Sequence, residues 1–349
     1  MSDLIPHKRT TTRSSHSRRF VKSPVELDFG TGERKVVMKL KDGTEGLCTC
    51  IGCPDAPCLW LGPEEVSLPG IIGAFPGDPS REVCPTKAIS WVERSDVVEI
   101  DPEACIGCGL CVARCPYGAI SMGSRGVALV ESQDPSGCTV RTEAGEEPTE
   151  ARKIPKRGKL GTVRNLALGR LPASVSSLGE LEASQFVRNL LIQCGMACRV
   201  RRRGDTNIRM DGVLALGEER MGVLEVERGT GVLESPRALL EDVAVLHGRY
   251  AIPVDGIDPV SVLLSLPNQR SEYFQVIKDI EDVLGIRCRT LTVGTLVVIV
   301  WNFLRIEGFF GTLFATKPES TDLWKGMRDH ISDTILETEP YDGAYRPLK

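Results

Sequence analysis

The sequence predicts two structured units: a small α+β domain rich in cysteine, then an α/β domain with a central mixed sheet flanked by helices. Three observations predict this. Nine of the thirteen cysteines fall between Cys48 and Cys115, and such crowding in a chain of 349 residues points to metal binding before disulfides. From Gly179 onward, helical and strand periodicities alternate, as they do where helices cover a sheet. Between the two units lies a stretch rich in Gly, Glu, Lys and Pro, which reads as a connector. The predicted order is a flexible basic tail over 1–30, the cysteine-rich domain over 31–131, a basic linker over 132–178 and the α/β domain over 179–349.

Composition sets outer limits. With 41% hydrophobic and 26% charged residues the chain is ordinary globular material, which excludes wholesale disorder and fibrous repeats. The net charge of −4 is unevenly placed. Residues 1–22 carry a local +5 and the remainder sums to −9, so any nucleic-acid contact must come from local patches. One such patch is the linker run Arg152, Lys153, Lys156, Arg157, Lys159, Arg164 and Arg170. No signal peptide is visible, and the longest apolar run, Leu291 to Leu304, is interrupted by Thr292, Gly294, Thr295 and Asn302. It also falls short of the roughly 20 residues that a spanning helix needs. The expectation is a cytoplasmic protein with no membrane partner, in a compartment where thiols stay reduced.

In the α/β domain, Leu181, Phe186, Leu190 and Leu191 predict an amphipathic helix ending near Gly195. Arg199–Arg203 and Ile208–Leu216 read as extended, and Met221–Val226 as another strand after the turn Gly217–Arg220. Ser235-Pro236 opens a helix through about Tyr250, with proline where its missing N–H costs little. Val260–Leu266 is a buried strand, Ser271–Leu284 a helix and Arg289–Val293 a strand.

The most specific motif is Cys105-Ile-Gly-Cys108-Gly-Leu-Cys111-Val-Ala-Arg-Cys115-Pro116, or Cys-x2-Cys-x2-Cys-x3-Cys-Pro. Three thiolates on a tight loop can reach three irons of one cubane, while the fourth points elsewhere. Gly107 and Gly109 let the backbone approach the cluster. Structural zinc normally uses separated cysteine pairs instead. An internal repeat supports a second cluster: Cys84-Pro-Thr-Lys-Ala-Ile-Ser90 matches Cys115-Pro-Tyr-Gly-Ala-Ile-Ser121 at five of seven positions. Ahead of Cys84 lies Cys48-Thr-Cys50-Ile-Gly-Cys53-Pro-Asp-Ala-Pro-Cys58.

On these residues the segment 44–131 resembles a bacterial ferredoxin with two [4Fe–4S] clusters. The resemblance implies crossed ligation, with Cys84, Cys105, Cys108 and Cys111 on one cluster and Cys115 completing the other. For that other cluster the candidates are Cys50, Cys53, Cys58 and Cys115. Its spacing departs from the family pattern, so a three-iron cluster or a substitution by Cys48 stays open. Cys138, Cys194, Cys198 and Cys288 read as structural, since cysteine is among the most buried residue types.

Carboxylates are rare inside apolar strands because desolvation is costly. Asp211 interrupts one apolar strand, and Glu225 and Glu227 share a face of its hairpin partner. A four-residue turn sets Asp211 on the opposite face from them; a three- or five-residue loop places it opposite Glu225 or Glu227, on the same face. Carboxylates that meet would make a hard oxygen site suited to Mg²⁺ or Mn²⁺. Asp on one strand and Glu-x-Glu on the next resembles the PD-(D/E)XK, restriction-endonuclease-like superfamily over residues 179–300. The resemblance implies Asp211 and Glu225 as metal ligands and Asp211, Glu225 and Glu227 as the catalytic set, with Glu227 where lysine is usual. Glu182 is an additional acidic candidate. Arg199, Arg201, Arg202 and Arg203 read either as an edge strand guarded by charge or, with the linker, as a phosphate-contacting surface.

No Walker loop or Gly-x-Gly-x-x-Gly stands out, and four histidines leave little for a Ser-His-Asp hydrolase. Asn268 and Arg270 read as loop chemistry. Three functions are consistent with these readings. The first is an iron–sulfur protein with a nuclease-like domain acting on DNA; the second is a ferredoxin serving a partner oxidoreductase. The third is a non-cleaving nucleic-acid-binding subunit of a larger assembly.

Overall fold

Short, largely apolar strands buried at successive positions, as in sheets covered on both faces, build a five-stranded mixed sheet in the C-terminal half. In the computed structural model the described residues are 56–68, 75–92, 97–115, 120–123, 125–130, 164–205, 209–215, 220–229, 232–306, 313–316, 322–331, 336 and 339–349, with short strands at 33–36, 39–40, 138–139 and 152–155. The predicted tail and Cys48, Cys50 and Cys53 lie outside them.

The strands are β1 (Glu33–Val36), β2 (Lys39–Leu40), β3 (Ile89–Val92), β4 (Val97–Ile100), β5 (Ile120–Met122), β6 (Ala128–Val130), β7 (Cys138–Thr139), β8 (Arg152–Pro155), β9 (Ala197–Val200), β10 (Gly212–Ala215), β11 (Met221–Glu227), β12 (Ile257–Leu263) and β13 (Arg289–Thr292). The helices are α1 (Leu110–Arg114), α2 (Arg164–Ser176), α3 (Glu180–Gln193), α4 (Ser235–Tyr250), α5 (Glu272–Leu284), α6 (Val293–Trp301) and α7 (Asp322–Arg328).

The sheet runs β13-β12-β11-β10-β9. β9, β10 and β11 form an antiparallel meander. β12 and β13 add in parallel, each reached through one helix, α4 and then α5. The two sheet faces bury different partners. Leu214, Leu224, Val260, Val262 and Leu291 point into a core shared with α2, α3, α6 and the cysteine-rich segment. Val213, Val223 and Leu263 point into a second core with Leu239, Val243 and Leu246 of α4 and Phe274 and Ile277 of α5. Each such side chain taken out of water contributes about 1.5–3 kcal/mol.

The cysteine-rich segment shows its repeat in the chain path. Each Cys-Pro segment is followed by a hairpin, β3–β4 after Cys84 and β5–β6 after Cys115. Ile89 and Ile120, equivalent in the repeat, open those hairpins and are buried.

One sequence expectation needs correction. The end of the basic linker is not irregular: Arg164–Ser176 is helix α2, with Pro172 inside it. Ala167, Leu168, Leu171 and Val175 are buried in the core that joins both halves. Their spacing makes one apolar stripe, which fixes the helix despite the proline.

Candidate iron–sulfur centre and a buried carboxylate group

Gly107 and Gly109 adopt left-handed backbone conformations (φ 70° and 80°), letting the loop turn tightly around Cys108 before α1 begins at Leu110. A Cβ on Gly107 would collide with the Gly126 carbonyl and come within 3.1 Å of the Ala167 Cβ, so the loop is packed directly against α2. Cys58, Cys108 and Cys115 are buried, and Cys84, Cys105 and Cys111 are half-buried. Burial pushes the Cys108 thiol up, and the nearby Cys84 and Cys105 thiols add to it. Cys111 is raised by burial and then by Cys108, Cys105, Cys58 and Cys84. Five thiols therefore lie close enough to feel one another's charge.

Thiols gathered this way are poor company for each other unless a cation compensates their ionised forms. Among the described residues no three His, Cys, Asp or Glu side chains close on a point that would hold a single ion. A cubane asks for something different, since each cysteine binds its own iron at a separate corner. The Ala128 amide donates to Cys105 Sγ at 3.5 Å, the kind of bond that steadies charge on cluster sulfur. The residues present thus fit an iron–sulfur cluster.

Buried polar side chains brace these loops. Arg114 of α1 donates to both carboxylate oxygens of Glu65 (2.9 and 2.6 Å) and to the Pro57 carbonyl at 2.6 Å, beside Cys58. Burial alone would raise the Glu65 carboxyl, but the Arg114 guanidinium outweighs it and holds the group below its usual range. Asn189 of α3 donates to the carbonyls of Glu82 (2.8 Å) and Val83 (3.0 Å), just before Cys84. Trp301 of α6 donates to the Cys108 carbonyl at 2.8 Å.

The carboxylates occupy the other face of the sheet. β10 pairs with β11 as Gly212↔Leu224 and Ala215↔Met221, so the connection is the five-residue one, and the same register carried one residue past the end of β10 sets Asp211 toward Glu225. Asp211 Oδ2 accepts from the Val226 amide at 3.0 Å. Asp242 of α4, which the sequence reading did not single out, completes the group at 2% exposure. Burial raises Asp211, Glu225 and Asp242; Asp211 and Asp242 push Glu225 up further, Asp211 adds to the rise of Asp242, and Glu180 and Glu227 add to that of Asp211. Glu225 and Asp242 share a hydrogen bond, so one of them keeps its proton. Glu227 instead turns to accept from the Gly229 amide at 2.7 Å.

The sequence expectation of a Mg²⁺ or Mn²⁺ site gains no support from this arrangement. No three of the described carboxylates close on one ion, because Asp211 is occupied by the Val226 amide and Glu225 by Asp242. The arginines are also partly committed. Arg201 lies 2.8 Å from Glu180 and 3.8 Å from Asp211, and together with Glu182, Arg202 and Arg203 these line a cleft of about 370 Å³. Arg170 of the basic run donates to the Arg125 carbonyl at 2.8 Å. Cys194, Cys198 and Cys288 are buried, and burial raises the Cys198 and Cys288 thiols to about 12, as inert core cysteines require. Arg270 donates its amide to Asn268 Oδ1 at 2.8 Å, a local turn.

The loop geometry and gathered thiols define a ferredoxin-type iron–sulfur domain. The family model of the 4Fe-4S dicluster domain matches residues 81–119, which include Cys84, Cys105, Cys108, Cys111 and Cys115. The chain is 38% identical over 79 residues to hydrogenase-4 component A of Escherichia coli, covering 22% of this chain and 27% of that protein. It is 28% identical over 151 residues to the formate dehydrogenase iron-sulfur subunit of Wolinella succinogenes, covering 42% and 61%. It is 32% identical over 80 residues to the polyferredoxin-like subunit of the aliphatic sulfonate oxidoreductase of Pyrococcus furiosus, covering 23% and 34%. The chain thus spans less than two thirds of each of these relatives. No solved structure matches. Among the described residues no helix is long and apolar enough to cross a membrane.

Proposed function

We propose that the chain is an iron–sulfur electron-transfer subunit that holds two [4Fe–4S] clusters and docks a partner oxidoreductase. The observation that carries this reading is the gathering of the Cys58, Cys84, Cys105, Cys108 and Cys111 thiols around a glycine-turned loop in one core. Cys84, Cys105, Cys108 and Cys111 would hold one cluster. Cys50, Cys53, Cys58 and Cys115 would hold the other, which a three-iron form would also suit. Each cluster, when bound, supplies a one-electron redox site. The protein's part is to bury the thiols, aim backbone amides at sulfur and exclude water. The names of the relatives, parts of a hydrogenase, a formate dehydrogenase and a sulfonate oxidoreductase, support an oxidoreductase as the partner.

The test is an electron count. Anaerobically reconstituted chain should accept about two electrons per molecule from a low-potential donor and return them to an acceptor dye. A chain that takes up iron but accepts no electrons sinks the reading.

A second reading keeps the nuclease-like alternative for the α/β domain. It is favoured by one observation: Asp211 lies opposite Glu225 on a meander that follows one helix and precedes another, the order the PD-(D/E)XK resemblance implies. Under it, Mn²⁺ would displace the proton shared by Glu225 and Asp242, and duplex DNA would be cut. Cleavage that disappears in Asp211→Ala is its expected result; no cleavage, or cleavage unchanged in the variant, removes it.

A further inference from the structure

We propose that the α/β domain is itself part of the iron–sulfur site, with Trp301 as the positioning residue that holds the Cys108 loop; this rests on the electron-transfer reading above. Trp301 closes α6, a helix buried at every position, and is 2% exposed. A buried indole N–H needs an acceptor, and here it is the Cys108 carbonyl, 193 residues away in sequence. Cys108 sits between two left-handed glycines, so the loop has no flanking side chains to stiffen it. The Leu110 amide donates to the Cys108 sulfur, and that alignment depends on how the 107–110 backbone is held.

Two further contacts grip the same site from outside the ferredoxin-like segment. Ala167 of α2 fills the space beside Gly107. Asn189, 1% exposed, ties down the carbonyls of Glu82 and Val83 immediately before Cys84. Both chain segments that would supply Cys84, Cys105, Cys108 and Cys111 are therefore pinned from helices outside the ferredoxin-like segment. An unpinned loop would let the amide-to-sulfur bond lengthen, which weakens the reduced cluster and loosens its hold on iron.

The experiment uses the full-length, anaerobically reconstituted chain with Trp301→Phe, which keeps an aromatic ring but orphans the carbonyl. Val243→Ala, in the second core, which contains none of the candidate cluster cysteines, serves as the packing control. Cluster release to a chelator should be about tenfold faster in Trp301→Phe, the effect of roughly 1.4 kcal/mol for a lost buried hydrogen bond. One of the two reduction steps should also move to lower potential while the other stays. Val243→Ala should melt at lower temperature with release rate and potentials unchanged. Should Trp301→Phe not fold, Asn189→Leu carries the same expectations. Wild-type release and potentials in the Trp301 or Asn189 variant, or equal acceleration by Val243→Ala, overturns the positioning role alone. A wild-type chain that holds no iron overturns it together with the electron-transfer reading.

Discussion

Replacing Cys108 by serine should remove roughly half of the iron from the reconstituted chain and destabilise it by several kcal/mol. A buried serine oxygen is a shorter, harder ligand than thiolate, and iron–sulfur clusters are held by thiolates. Loss of one of two clusters accounts for the iron. The stability loss follows because ligand binding to a site absent from the unfolded chain is folding free energy. It should spread, since Cys108 belongs to the same continuous core as Ile89, Leu171, Phe186 and Trp301. Cys194→Ser is the comparison: Cys194 is also buried but lies beside the Leu296 carbonyl. It should cost about 1–3 kcal/mol for placing a hydroxyl in the core while retaining all the iron. Iron content unchanged in Cys108→Ser would exclude it as a ligand.

Asp242→Asn should stabilise the protein at pH 8 by about 1–3 kcal/mol. Asp242 is buried, its Oδ2 meets no donor, and it faces Glu225 and Asp211. Replacing a buried, incompletely paired charge by a neutral group of the same shape relieves desolvation and repulsion. The pH dependence follows in sign. Burial raises Glu225 and Asp242 in the folded state. Their contribution to stability is therefore fully present below the unfolded carboxylate range. It is lost as pH climbs toward the folded values, because the unfolded chain releases its protons first. Thermal melts should show wild-type stability declining over that interval and a flatter profile in Asp242→Asn. A variant less stable than wild type at pH 8 would mean that the carboxylates are compensated by a bound cation.

Much of the fold was legible from local signals. Pro236 at the first turn of α4 and Ser271, which caps α5 by accepting from the Tyr273 amide, mark helix starts that the structure reproduces. The Cys-Pro repeat, read in the sequence as a sign of a second cluster, recurs in the structure as a hairpin after each Cys-Pro. Helix α2 was obscured because its basic residues and Pro172 resemble a connector, although Ala167, Leu168, Leu171 and Val175 form a legible stripe. The register of β10 on β11 was not legible. A one-residue change in loop length flips Asp211 to the other face, and the turn Gly217–Arg220 does not specify which residue ends the ladder. Asp242 was discoverable as the acid on the buried stripe of Leu239, Val243 and Leu246. Trp301 and Asn189 were not, because their partners are distant in sequence and backbone carbonyls leave no mark on residue type.

Electron transfer by this chain requires that it carry reducible clusters. A redox titration of the anaerobically reconstituted protein, followed by electron paramagnetic resonance with iron and sulfide counted on the same sample, tests this most directly. The expected result is about eight irons and eight sulfides, and two reversible one-electron steps in the range of [4Fe–4S] ferredoxins. Iron bound without sulfide, or clusters that show no reversible reduction, would contradict it.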